Sequence, residues 1–368
     1  MNQSELDVWH MRRALELAVR GQGAVEPNPM VGCVVVRGAE IIGEGWHRRF
    51  GGPHAEVEAL GLAGGRAAGA TMVVTLEPCC HQGKTPPCTR AVIEAGIRRL
   101  VVAQRDPFPA VAGGGVAELG AAGIEVQLGV LEAEARRLNA PYLKLLQTGR
   151  PWIIAKWAMT FDGKTATRTG SSRWISGPRS REIVHALRGR VDAILVGRRT
   201  ARVDDPLLTA RPPGPRMALR VVVDTRASLS SESQLARTAR EVPVLVAVGA
   251  EAPEAERRRL VEAGCELLVC EAEGHAGRLD ELLAELGRRR LTNVLVEGGG
   301  RLVGSLLDAG QIDEVHVFIA PKLIGGAAAG GPIAGEGIAQ MAEALRIDPP
   351  ELEQVGTDIY LRGRVVRD

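Results

Sequence analysis

The chain has 368 residues, 45% of them hydrophobic and 24% charged, with a formal net charge of +2. Such a length implies about two or three domains, each with its own core, and dispersed arginines at near-zero net charge offer no basic face for nucleic acid. No stretch approaches the ~18 consecutive apolar residues of a membrane span, and Glu5 and Asp7 stand where a leader would be basic and then apolar, which argues against export.

In chain order, Ser4 is placed to cap a helix whose apolar residues Val8, Met11, Leu15 and Ala18 recur at helical spacing, with Gly21 to Gly23 ending it. Val31 to Val36 and Ile41 to Gly45 read as a hairpin. The pattern then alternates: helix 54–63, strand 71–76, helix near 87–96, strand 99–104, helix near 115–122, strand 124–128 and a single helix 130–147. Gln147-Thr148-Gly149-Arg150-Pro151 breaks that helix, which puts a domain boundary there, giving domains 1–148 and 149–368. Strands follow near 152–158, 191–196, 219–224, 243–248, 266–270, 293–297 and 312–320, with helices between most of them and strands toward 351–366. Both halves are therefore α/β.

The chemistry concentrates in His54-Ala55-Glu56, Pro78-Cys79 and Cys88. One imidazole and two thiolates make a three-ligand zinc site with the fourth tetrahedral position open, as catalytic rather than structural zinc requires. Glu56 stands two residues after the histidine, placed to move protons without ligating, which is the layout of zinc nucleobase deaminases. The eight residues between Cys79 and Cys88 depart from the two-residue gap of the simplest form of that signature. His54, Cys79 and Cys88 all fall where helices begin, and a helix N-terminus favours thiolate over thiol. Cys33, Cys265 and Cys270 read as small buried hydrophobes, and His10, His185, His275 and His316 as structural or surface residues. Six cysteines are too few for a disulfide scaffold in a chain this long, so a reducing, cytoplasmic setting is expected.

In the second half, strand 293–297 runs through Gly298-Gly299-Gly300 into a helix, a shape in which bare N–H groups approach a phosphate. A Rossmann fingerprint is not found in register. Asp224 imitates its acid, but Thr225 and Arg226 beside it suit a 2′-phosphate instead.

Taken together, these runs resemble the bifunctional riboflavin-biosynthesis family, in which a pyrimidine deaminase is fused to a pyrimidine reductase. The first-half signatures are Pro27-Asn28-Pro29-Met30-Val31-Gly32, Gly43-Glu44-Gly45-Trp46-His47, Pro53-His54-Ala55-Glu56 and the Glu77 to Cys88 run. Those of the second half are Lys156 to Lys164, Ser172 to Gly177, Val196-Gly197-Arg198-Arg199-Thr200, Asp204 to Arg211 and Val296 to Arg301. The resemblance implies a cytidine-deaminase-like three-layer domain followed by a dihydrofolate-reductase-like domain. It implies Zn2+ on His54, Cys79 and Cys88, Glu56 as proton shuttle, Asn28 orienting the pyrimidine, and His47, His81 and Lys84 toward the ribose phosphate. In the second half it implies NADPH bordered by Ala158, Trp174, Thr200, Asp204 and the run Gly299, Gly300, Arg301, Leu302, Val303, Gly304 and Ser305, with Arg226 as a further cofactor contact. The substrate would be bordered by Ser172, Arg188, Leu208, Arg211 and Glu297, with Lys156 and Glu297 polarising the sugar carbon that accepts hydride.

Two runs depart from the family pattern. Similar proteins carry Asp-Pro-Asn-Pro and a basic residue inside Ala-Gly-x-Gly, whereas here Asp106-Pro107-Phe108-Pro109 and Ala112-Gly113-Gly114-Gly115 lack that polar and that cationic contact. The implied activity is deamination of 2,5-diamino-6-ribosylamino-4(3H)-pyrimidinone 5′-phosphate and then reduction of its ribosyl chain to ribityl, by a homo-oligomer acting on a small molecule without nucleic-acid or membrane partners. The competing readings are a nucleoside or tRNA deaminase with an inactive reductase-like appendage, and a zinc-stabilised binding module.

Overall fold

The computed structural model describes residues 1–367; Asp368, the last residue of the expected second domain, lies outside the described residues. Two compact units divide the chain, Met1–Gly149 and Arg150 onward, each with its own sheet.

The first unit comprises α1 (Gln3–Val19), β1 (Gly32–Arg37), β2 (Glu40–Trp46), α2 (Ala55–Ala63), β3 (Thr71–Leu76), α3 (Cys88–Glu94), β4 (Arg99–Gln104), α4 (Gly114–Ala121), β5 (Glu125–Leu128), α5 (Glu132–Leu138) and α6 (Ala140–Thr148). The sheet order is β2-β1-β3-β4-β5. The hairpin strand β1 runs antiparallel to both neighbours, while β3, β4 and β5 are parallel. Because the central strands are covered on both sides, they read as continuous apolar runs. Val34, Val36, Val73 and Val101 share one core with Met11, Ala14 and Leu17 of α1, and Cys33, Val35, Met72, Val74 and Leu100 share the other with Ala55, Ala59, Val92 and Leu119.

Helix α2 lies close on β2, and two glycines allow it. A Cβ on Gly45 would sit 2.2 Å from the Ala55 carbonyl oxygen, and one on Gly43 would sit 2.2 Å from that of Ala59. Any larger residue would lift the helix that begins beside His54 and carries Glu56.

Two sequence expectations change here. Asn2, not Ser4, caps α1: Asn2 Oδ1 accepts from the Glu5 N–H at 3.0 Å and Glu5 Oε2 accepts from the Asn2 N–H at 2.9 Å, a reciprocal capping box. Ser4 is followed three positions on by Asp7, whose two oxygens are taken by Arg99 at 2.8 Å each. The single helix expected over 130–147 is two helices. Asn139, at φ −95° and ψ 16°, is the junction: its side chain accepts from Met30 N–H at 2.8 Å and donates to Met30 O at 2.9 Å, and Pro141, with no N–H to give, opens α6.

The second unit comprises β6 (Trp152–Thr160), α7 (Pro178–Arg188), β7 (Ala193–Gly197), α8 (Arg198–Asp204), β8 (Leu219–Val223), α9 (Gln234–Arg237), β9 (Val244–Gly249), α10 (Glu254–Glu262), β10 (Glu266–Cys270), α11 (Gly274–Arg288), β11 (Asn293–Val296), α12 (Gly300–Asp308), β12 (Glu314–Ala320), β13 (Glu351–Val355) and β14 (Asp358–Arg364). Nine strands form one sheet in the order β10-β9-β8-β7-β11-β6-β12-β14-β13, parallel through β12 and closed by the antiparallel β14 and β13. Ile194, Val196, Val222 and Val246 fill one face, and Ile153, Leu195, Val221 and Val294 the other. The parallel strands bring the carboxyl ends of β6, β7 and β11 to one edge, where ligands of open α/β sheets bind.

Candidate active sites

In the first unit three elements deliver three soft donors. His54 is the residue before the first turn of α2, Cys79 follows the end of β3, and Cys88 opens α3. His54 Nδ1 lies 3.2 Å from Cys88 Sγ and 3.5 Å from Cys79 Sγ, and all three donor atoms fall within 4.8 Å of one another. Tetrahedral zinc with bonds of about 2.0–2.3 Å holds its ligand atoms roughly 3.5 Å apart, so this donor set fits that ion in softness and spacing. The Cys88 S–H lowers the Cys79 thiol to about 4 against the opposing effect of burial, with His54 helping, while the same bond and burial push Cys88 up. Glu56, in the first turn of α2, is 3% exposed, and burial pushes its carboxyl up while His54 draws it partly back.

Around this cluster the histidines are oriented by fixed partners. His47 Nδ1 lies 3.0 Å from Pro53 O, which makes it the protonated nitrogen and leaves Nε2 to accept from Asn28 Nδ2 at 3.3 Å. Burial pushes the His47 ring down, keeping it neutral. His54 Nε2 faces Thr85 Oγ1 at 3.3 Å, the kind of outer partner that fixes a ligating imidazole. Thr85 went unread in the sequence because a hydroxyl inside a ligand loop has no spacing signal.

The structure separates the remaining expected residues from that core. His81 packs its ring against Phe108 at 5.8 Å, and its buried Nδ1 has no hydrogen-bond partner among the described residues. Lys84 is exposed, its Nζ 3.9 Å from the centre of the Phe50 ring. Glu77 also escaped notice: its buried carboxylate accepts the backbone N–H groups of Asp106 at 3.2 Å, Gly113 at 3.1 Å and Val116 at 3.0 Å. It thereby ties the Phe108 loop to the strand end that carries Cys79.

In the second unit, Glu297 stands at the end of β11 and Arg188 in the last turn of α7. Their contact is two-pronged, Nε to Oε1 at 2.5 Å and Nη2 to Oε2 at 2.8 Å. Burial pushes the Lys156 ammonium down, and Glu297 draws it back up. Burial likewise pushes the Asp204 carboxyl up, opposed by Arg173, Ser172 and Lys156, and the Arg173 guanidinium donates to the Asp204 carbonyl. Thr209 O, between Leu208 and Arg211, lies 3.3 Å from Arg188 Nη1 and 3.2 Å from His185 Nδ1.

For the cofactor, Gly298 packs on Thr200: a Cβ there would lie 2.7 Å from Thr200 Oγ1. The first turn of α12 has no side-chain cap, so its N–H groups remain for an anion, as NADPH would supply. Within the run expected to border that cofactor, Leu302 and Val303 turn into the core, and Ser305 Oγ donates to Arg301 O at 2.9 Å. Only the Gly299 to Arg301 end faces the helix mouth. Trp174 is 64% exposed with the Arg181 guanidinium 4.6 Å from its ring, and Ala158 is half-buried in β6. Arg226 is exposed, whereas Asp224 is buried, its carboxylate accepting from Ser228 Oγ at 3.0 Å and Leu229 N–H at 2.7 Å. That turn consumes the acid that imitated a Rossmann site.

Comparison with known proteins agrees with this division. The cytidine and deoxycytidylate deaminase zinc-binding region matches residues 4–104, and the RibD C-terminal domain matches residues 151–361. The riboflavin biosynthesis protein RibD of Actinobacillus pleuropneumoniae is 42% identical over 356 residues, covering 96% of this chain and 94% of that protein. The chain belongs to the RibD family. RibD of Escherichia coli K12 is 40% identical, with 96% and 98% covered. Among solved structures, Acinetobacter baumannii RibD superposes with a TM-score of 0.87 at 37% identity, covering 99% of this chain and all of the other. A Thermotoga maritima diaminohydroxyphosphoribosylaminopyrimidine deaminase/5-amino-6-(5-phosphoribosylamino)uracil reductase does so at 0.85 and 34%, with the same coverage. As a RibD family member the chain is a bifunctional enzyme of riboflavin biosynthesis, a zinc deaminase joined to an NADPH-dependent reductase. No helix among the described residues is long and apolar enough to cross a membrane.

Proposed function

We propose that residues 1–148 hydrolyse the 2-amino group of 2,5-diamino-6-ribosylamino-4(3H)-pyrimidinone 5′-phosphate and that residues 149–368 then reduce the ribosyl chain to ribityl. The observation that carries the first half is the convergence of His54, Cys79 and Cys88 within 4.8 Å, next to the buried Glu56. Zinc held by those three residues supplies Lewis-acid activation of the attacking water. Glu56 carries one proton of that water to the ring nitrogen as the C–O bond forms and then the second, from the new hydroxyl, to the departing amine as the C–N bond breaks, a shuttle of the kind that contributes ~10²–10⁴ in rate. Its burial suits the task, because a carboxyl raised toward neutrality both accepts and gives. Asn28, held by His47, orients the pyrimidine, and Thr85 holds the His54 ring. His81 and Lys84 face the ribose phosphate, and the buried Nδ1 of His81 has no partner among the described residues.

In the second half, NADPH supplies the hydride that reaches the sugar carbon. Lys156 and Glu297 polarise that carbon, with Arg188 keeping Glu297 ionised. Ser172, Leu208 and Arg211 border the pyrimidine, and Ala158, Trp174, Thr200, Asp204, Arg226 and the Gly299 to Arg301 turn border the cofactor. The six cysteines are all unpaired, in keeping with the reducing cytoplasm. A homo-oligomer completes the reading, and light scattering on the purified protein checks it.

Mass spectrometry of the pyrimidine after incubation with and without NADPH tests both halves. The expected result is amine loss without NADPH and a two-hydrogen gain only with it. Hydrogen gain without prior amine loss would overturn the order of steps.

A further inference from the structure

Arg220 is the second residue of β8, paired across to Ile194 of β7 and Val244 of β9, and its side chain is fully buried. A charged side chain in such a place is costly unless its hydrogen bonds are satisfied. Its hydrogen-bond partners are all neutral oxygens and lie on Nη1 and Nη2, while Nε has none among the described residues. Nη1 donates to Leu207 O at 3.2 Å and Thr238 Oγ1 at 2.8 Å; Nη2 donates to Thr238 O at 3.0 Å and to Val242 O. Burial pushes the group down only to about 10, so it stays cationic at neutral pH. The neighbouring strand residues Val221 and Val222 show what the strand alone would select. The guanidinium is therefore explained by what it holds together: the turn after α9 and the loop that runs from Asp205 to Arg211.

That loop has a backbone its surroundings must enforce. Asp205 and Leu208 adopt φ of 39° and 52°, left-handed values that L-residues other than Asn and Asp rarely take. Asp205 is held by the Gln234 N–H on Oδ1 at 2.8 Å, and Thr209 O by Arg188 and His185. Leu207 O, adjacent to the left-handed Leu208, is held by Arg220. We propose that Arg220 is a positioning residue of the reductase, which fixes the Leu207–Leu208 backbone from within the sheet, where the Leu208 side chain is itself buried in the core, and so presents the loop backbone and Arg211 to the pyrimidine substrate. This rests on the reading of that loop as the substrate border given above.

The test compares Arg220→Met, Arg220→Lys and Arg211→Ala in the full-length enzyme, measuring KM for the deaminated pyrimidine, KM for NADPH, kcat and Tm. Arg220→Met keeps the length and removes the donors. It is expected to raise the pyrimidine KM by roughly tenfold or more, the effect of a lost charge-assisted hydrogen bond, with NADPH KM and deaminase activity unchanged. Arg220→Lys, with one ammonium for acceptors in two loops, is expected to fall between wild type and Arg220→Met. A purely structural role would lower Tm and leave both KM values alone, which overturns the proposal. If Arg220→Met does not fold, Arg220→Lys decides by the same criterion: a selective rise in pyrimidine KM supports the proposal, and an unchanged value overturns it. Arg211→Ala separates the two levels. A raised pyrimidine KM there with none in the Arg220 variants removes only the positioning role, whereas no rise in Arg211→Ala removes the substrate-border reading and the proposal with it.

Discussion

Arg188 and Glu297 close on each other through two hydrogen bonds, 2.5 and 2.8 Å long, with only 14% and 6% of their side chains exposed. Burial pushes the Glu297 carboxyl up, and Arg188 more than offsets this, so the folded value lies below the usual one. The stability that follows is present above the unfolded carboxyl value of about 4.3 and is lost as pH falls through the folded value. In Arg188→Ala only the weaker pull of Lys156 and His185 opposes burial, and the sign is expected to reverse: the folded value rises above the unfolded one, and stability is lost as pH rises. The wild type should therefore hold its Tm between pH 5 and pH 8, while Arg188→Ala should be more stable at pH 5 than at pH 8, with a total loss of about 3–5 kcal/mol at the higher pH. Thermal melts across that range check this, and a flat profile for the variant would mean that water reaches Glu297.

Loss of zinc should separate the two activities. Cys88→Ser, or exhaustive chelation verified by metal analysis, is expected to abolish deamination while NADPH-dependent reduction of the deaminated pyrimidine continues, because all three donors lie in the first unit. Full deaminase turnover in a zinc-free sample would contradict the site.

At the edge of the first site, Phe108 packs beside His81, where the resemblance implies a polar residue. Phe108→Asn with Gly114→Arg should lower the deaminase KM severalfold, a charge-assisted hydrogen bond being worth ~1.5–3 kcal/mol. A Cβ at Gly114 would come 3.0 Å from Cys80 Sγ, so the thiol must yield slightly, and Phe108→Asn alone serves as the control. An unchanged KM in both would show that this loop does not read the phosphate.

Cofactor choice is tested on arginines. Arg198, Arg199 and Arg226 are exposed in the second unit, and planar guanidinium forks suit a 2′-phosphate. Removing the one that reads it should reduce kcat/KM for NADPH about tenfold or more while leaving NADH use unchanged. Thr200→Val should weaken both cofactors alike. If no arginine variant shifts the NADPH to NADH ratio, the 2′-phosphate is recognised elsewhere.

The alternation of strands and helices was legible because β1, β3, β7 and β9 are largely buried apolar runs. The metal ligands were legible because residue type and spacing carry their chemistry. What escaped depends on partners remote in sequence. The Glu77 carboxylate binds N–H groups 29 to 39 positions away, and backbone donors have no letter in a sequence. Helix periodicity continues through Asn139, whose side chain is engaged by Met30, 109 positions earlier. The cap was misplaced by two residues although Asn2 and Glu5 spelled out a capping box, because serine is as good a cap as asparagine when only one residue is weighed.

The Asn139 amide has a consequence in time. Its side chain completes both hydrogen bonds of Met30, next to the Asn28 segment that meets His47. During synthesis the strands and every metal donor of the first unit leave the ribosome before Asn139 does. A nascent chain ending between β5 and α5 thus holds the whole zinc signature while the backbone at Met30 lacks its partner. A chain released there would carry the sheet and its three donors with the Met30 backbone still without the Asn139 amide.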